Sequence, residues 1–98
     1  MFARVRTFNA PTEGIDESTT AFRDSFLPRI RQLDGYRGFF LLVDRQWGRL
    51  LGVALYADQA SMEAATQSAT DLSRETGEQL GLAAVNVEDY EVVIDERA

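Results

Sequence analysis

Tyr36-Arg-Gly-Phe-Phe-Leu-Leu-Val43 and Leu50-Leu-Gly-Val-Ala-Leu-Tyr-Ala57 are two apolar runs of strand length, joined by the turn Asp44–Arg49. Gly48 supplies the turn's positive-φ residue. Phe39 to Val43 is unbroken in its apolarity, and Val53 to Ala57 is nearly so. A strand with one wet face alternates polar and apolar residues; a continuous run is buried on both faces. This hairpin therefore predicts two strands of a sheet with one face under helices and the other under something else.

The flanking segments say what covers the first face. Ile15, Thr19, Phe22, Phe26, Ile30 and Leu33 recur at steps of three and four, an amphipathic helix starting near Asp16 and closed by Asp34-Gly35. Pro28 interrupts it, so the helix kinks there or restarts at Leu27. Beyond the hairpin, Asp58 caps a second helix with the inward stripe Met62, Ala65, Ala69, Leu72 and Thr76, followed over Gly77–Leu82 by a loop or a frayed last turn. Phe2–Phe8 and Val85–Ile94 read as the first and last strands. The order is βαββαβ. It predicts an α+β, ferredoxin-like domain over residues 1–98: a four-stranded antiparallel sheet of order 4-1-3-2 with two helices on one face.

Composition narrows the chemistry. The chain has no Cys, no His and no Lys; all ten basic residues are Arg. Disulfides, zinc–thiolate sites, a proximal haem imidazole, a Ser-His-Asp triad and a Schiff-base lysine are excluded. No acidic cluster has metal-ligand spacing, and no cofactor is expected. A net charge of −6 disfavours nucleic acid and anionic membrane. No apolar run approaches a membrane span and the N-terminus lacks a signal-peptide core, so a cytoplasmic protein is expected. RNA-binding domains of this topology need paired aromatics and basic residues on the central strands; the first strand carries Arg4 and Arg6 but no RNP-like run, and the chain is acidic. Acylphosphatases need a phosphate-cradling loop that Asn9–Gly14 does not supply.

Three stretches carry a resemblance. Leu33-Asp-Gly-Tyr-Arg-Gly-Phe-Phe40, Ala54-Leu-Tyr-Ala-Asp-Gln-Ala-Ser-Met-Glu-Ala64 and Tyr90-Glu-Val-Val-Ile94 together resemble the antibiotic-biosynthesis-monooxygenase-like (ABM-like) group of dimeric α+β barrels. The resemblance implies a homodimer packed sheet to sheet, and a small-ligand pocket between sheet and helices. It also marks two departures. Haem-degrading members use a histidine in the second helix, and Ala64–Ala69 has none, so haem degradation is not expected. Many members carry Trp where this chain has Tyr56.

The candidate pocket lies beside Tyr56. Gly52 and Ala54 share its face, and Ala65 and Ala69 oppose them, leaving space for a small apolar or aromatic compound. Phe22, Phe26 and Met62 either line that space or fill it; Asn9 stands at its edge or starts a turn. Arg4, Arg6 and Phe8 are expected on the face away from the helices, where Asp89 and Glu91 pair with the arginines across the ladder and set the dimer geometry. Trp47, in the hairpin tip, anchors the partner or folds back over its own hairpin. Asp71, Glu75 and Glu78 read as a solvated helix face. Three functions stay open: a cofactor-independent monooxygenase, a non-catalytic ligand binder, and a structural or interaction protein with a filled pocket.

Overall fold

The computed structural model describes residues 1–82 and 84–98. β1 (Phe2–Asn9) is followed by a 3-10 turn (Thr12–Gly14), α1 (Ile15–Ala21), a π-helical turn (Phe22–Phe26) and α2 (Leu27–Ile30). Then come β2 (Tyr36–Asp44), β3 (Arg49–Tyr56), α3 (Gln59–Ala64), α4 (Thr66–Leu80) and β4 (Ala84–Glu91). The sheet order is β2-β3-β1-β4 with every pair antiparallel, which is the expected 4-1-3-2 order read from the opposite edge. The helices cover one face.

Local chemistry explains the helix ends. The Asp58 side chain accepts the Ser61 N–H at 2.7 Å, capping α3 as expected. The first helix begins one residue before Asp16, which lies in the first turn instead of at the cap. Pro28 has no N–H to donate and would crowd the carbonyl of Asp24. The chain answers with a wider π turn ahead of α2, so Pro28 falls in a first turn where the missing donor costs nothing. Of the loop and the last helical turn left open over residues 77–82, the structure has the turn. α4 continues to Leu80, and Gly81 closes it in the left-handed conformation at φ 70°. The Leu82 N–H returns to the Gly77 carbonyl at 2.6 Å. A Cβ on Gly77 would sit 2.8 Å from the Leu82 carbonyl oxygen, so this glycine serves the tight return and does not break the helix. β4 ends at Glu91, three residues short of the expected Ile94.

The core sits between helices and sheet. Phe8, Phe22, Phe26 and Phe39 stack in series at centroid separations of 5.7, 5.4 and 5.2 Å, spacings at which aromatic edges and faces attract. Ile15, Ile30, Leu50, Tyr56 and Met62 complete it. On the other face, Val5, Val53, Leu51, Phe40 and Leu42 line up across three strands. Among the described residues no helix packs there, and Phe40 and Leu42 are 43% and 51% exposed. After β4 the Val92 N–H donates to the Met1 carbonyl. The chain end then reaches Phe40, with the Arg97 guanidinium 5.7 Å from the ring centre. It has crossed from one edge strand toward the other.

Candidate functional site

The strand register settles which side chains meet the helices. Arg4 lies opposite Ala54 and Arg6 opposite Gly52; on the other side they oppose Asp89 and Val87. Directly opposed residues share a face. Arg4, Arg6 and Phe8 therefore point to the helix side with Tyr56, and all three are buried. The expectation that they face away from the helices is corrected. Two buried guanidinium groups look more costly than burying Ala3, Val5 and Thr7, but α4 and β4 supply the acceptors that offset the difference.

Those acceptors form rungs. Arg4 donates through Nε and Nη2 to both Asp89 oxygens, at 2.8 and 3.1 Å, and through Nη1 to Thr66 Oγ1 at 3.0 Å and the Met62 carbonyl at 3.4 Å. Arg6 donates through Nη2 to Thr70 Oγ1 at 3.1 Å. Two residues along a strand advance about 6.6 Å, and four along a helix about 6.0 Å. Thr66 and Thr70 thus keep pace with Arg4 and Arg6. The fork on Arg4 holds the Asp89 carboxyl below its usual range. Arg6, by contrast, is lowered from its ordinary value by burial and by the charge of Arg4.

Beside the rungs, between α4 and the β1–β4 half of the sheet, lies a cavity of about 620 Å3. Arg4, Arg6 and Phe8 form its floor; Thr66, Thr70 and Ser73 form one wall, and Leu82, Ala84, Val87 and Asp89 the other. Arg74 and Glu78 stand at the rim. The pocket expected beside Gly52 and Ala54 is not this one. There the space measures about 10 Å3, because Phe22, Phe26 and Phe39 close it; a Cβ on Gly52 would come within 3.2 Å of the Phe39 ring.

The other candidates separate accordingly. Phe22, Phe26, Met62, Ala65 and Ala69 are buried core residues outside the larger cavity, and Tyr56 is fully buried without lining it. Among the described residues the Tyr56 hydroxyl has no hydrogen-bond partner. Burial pushes its phenol up in pKa, while Arg6 and Arg4 oppose that rise. Asn9 is exposed and opposes Arg49 at the far end of β1. Asp89 pairs with Arg4 as expected, whereas Glu91 lies opposite Phe2 and Arg6 opposite Val87. Trp47 is 72% exposed, so it does not fold back over its hairpin. Asp71 pairs with Arg74 and Glu75 with Arg29, but Glu78 faces the cavity. Among the described residues no group of three or more His, Cys, Asp or Glu side chains is placed to hold a metal ion. Thr66, Thr70 and Ser73 were not singled out from sequence. Their signal is the four-residue step on α4 matching the two-residue step of Arg4 and Arg6.

No family model matches the sequence. The chain is 32% identical over 92 residues to the uncharacterized protein Rv2557 of Mycobacterium tuberculosis, covering 94% of this chain and 41% of that protein. It is 26% identical over 94 residues to Rv2558 of the same organism, covering 96% and 39%. The chain thus spans about two fifths of the curated relatives it matches. Solved structures show the fold. An antibiotic biosynthesis monooxygenase, provisionally so named, from Deinococcus radiodurans superposes with a TM-score of 0.72 at 17% identity, covering 100% of this chain and 98% of its own. HapK from Hahella chejuensis gives 0.74 at 12%, with the same coverage. A point mutant of MhuD, solved with two manganese protoporphyrin IX molecules per active site, gives 0.74 at 18% and full coverage of both chains. This chain has the ABM-like, ferredoxin-like fold.

Proposed function

We propose that this protein binds a small compound with an apolar or aromatic body in the cavity between α4 and the β1–β4 half of the sheet, and that it does so as a homodimer paired through the open sheet face. The cavity carries this reading. Its volume of about 620 Å3 falls within the range of small-molecule sites, roughly 300–1,000 Å3, and polar groups converge on it from a helix and two strands.

Two observations favour binding over proton-transfer chemistry. Asp89 is held ionised by Arg4, and the Tyr56 phenol is pushed up in pKa. Neither is poised to exchange a proton near pH 7. Cofactor-independent oxygenation is the second reading, favoured by fold relatives named as antibiotic biosynthesis monooxygenases. Oxygen uptake driven by a bound aromatic compound would support it.

The uncharged fluorophore N-phenyl-1-naphthylamine tests the binding site. One molecule should bind per chain. Val87→Phe, which builds into the cavity from a half-exposed position, should abolish binding and leave the melting temperature within a few degrees. Ala69→Leu overpacks the fully buried face of α4, should cost about 1–3 kcal/mol, and should spare binding in the folded fraction. Retained binding in Val87→Phe would remove the cavity as the site.

A further inference from the structure

We infer that the ligand of this cavity carries an anionic head, a carboxylate or an oxyanion of similar size, seated on Arg6. This rests on the cavity reading above and adds the ligand's charge. The two floor arginines are not equivalent. Arg4 has four hydrogen bonds, including a fork onto Asp89. Arg6, 6% exposed, has one, to an uncharged hydroxyl, and among the described residues no carboxylate lies within 4.0 Å of it. A guanidinium offers five N–H donors and stays charged in proteins. Burying one without a counter-ion is costly.

The nearby acids do not supply that counter-ion. Both Asp89 oxygens are taken by Arg4. Glu78 is exposed at the rim, eight residues beyond Thr70 and so about 12 Å along the helix axis. Arg6 forms part of the cavity floor, so its unused donors belong to whatever enters. A carboxylate matches that fork in both shape and charge. Ser73, one turn past Thr70 on the same wall, adds a hydroxyl donor. Phe8, Leu82 and Val87 give the apolar body its contacts. The positive site is local, in a chain of net charge −6, and does not reflect a basic surface.

The test compares 8-anilinonaphthalene-1-sulfonate with N-phenyl-1-naphthylamine, the same ring system with and without the anion. On the unmutated chain the sulfonate should bind at least tenfold tighter, and decanoate should displace it where decanol does not. Arg6→Met should remove the preference, weakening the sulfonate at least tenfold and changing the neutral probe less than twofold. Arg6→Lys, which keeps the cation, should retain part of it. Equal binding of the two probes to the unmutated chain overturns the anion inference and leaves the cavity standing. Binding of neither overturns both. Should Arg6→Met fail to fold, the probe pair and the decanoate–decanol pair on the unmutated chain still decide.

Discussion

Arg4 and Arg6 are two residues apart on one strand face, yet one is saturated and the other is not. That an arginine of β1 meets a carboxylate of β4 was legible in sequence, because the first and last strands of this topology are antiparallel neighbours; that the pair is Arg4–Asp89, with Arg6 opposite Val87 instead of near Glu91, needed the register. The face it occupies was not legible. Choosing it required the β1–β3 register, which places Arg4 against Ala54, and required the threonines of α4 as acceptors. The pair predicts an acid limb. With its folded pKa lowered, Asp89 contributes stability that is complete above its unfolded value, about 3.9, and is lost as pH falls toward the lower folded value. Asp89→Asn should cost about 1–2 kcal/mol at pH 7, less than a fully buried pair would because Asp89 is 43% exposed. Thermal melts from pH 7 down to about pH 2 should show the gap between variant and parent closing. A gap independent of pH would mean that the charge pair is not its source. Tyr56→Phe removes a hydroxyl that no described residue bonds, so no donor or acceptor is orphaned, and stability should shift by less than about 1 kcal/mol in urea titration. A larger loss would reveal an unrecognised partner for that oxygen.

The elements were more legible than the residues. Their order, the sheet order, the Asp58 cap and the left-handed Gly35 and Gly48 follow from periodicity and turn chemistry, and the structure has each of them. Two helix ends were legible only as alternatives, for a shared reason: a proline or glycine reads as a breaker until its tertiary neighbours are known. At Pro28 the restart at Leu27 is the one found, and at Gly77 it is the last helical turn, not a loop. Pro28 is absorbed by a π turn, and Gly77 lets the chain fold back onto the end of its own helix. The location of the cavity was missed similarly. Small residues at Gly52 and Ala54 imply space, but Phe39 reaches across from β2 and takes it. Gly35 tests how tightly the elements are joined. It holds φ 79°, and a Cβ there would overlap the Ser61 side chain at the start of α3. Gly35→Ala should cost roughly 2–4 kcal/mol from the left-handed backbone and the overlap together. Gly14→Ala, with nothing within 4 Å of the added carbon, should stay within about 1 kcal/mol. Chemical denaturation of the two variants side by side measures both; equal losses would rule out the α3 contact.

At the scale of the molecule, the doubly apolar hairpin predicted that a helix-free face would remain, and Phe40, Leu42, Leu51 and Val53 make it. A second copy would bury these residues, and a stable pair needs about 800 Å2 from each partner. For this chain, sedimentation at micromolar concentration should give about twice its 11.0 kDa mass. Leu42→Asp, at a half-exposed position, should return it to the monomer with little loss of monomer stability. An unmutated chain that sediments as a monomer would refute the pairing.

The path of the chain end has a practical corollary. Residues 92–98 do not hang from the rim of the sheet; they arrive at Phe40, on the strand farthest from β4. Anything fused behind Ala98 emerges over that face, in the way of whatever would cover it. A purification handle or fluorescent reporter placed there would act as a spacer between subunits, and the same label ahead of Met1, at the entry to β1, would not.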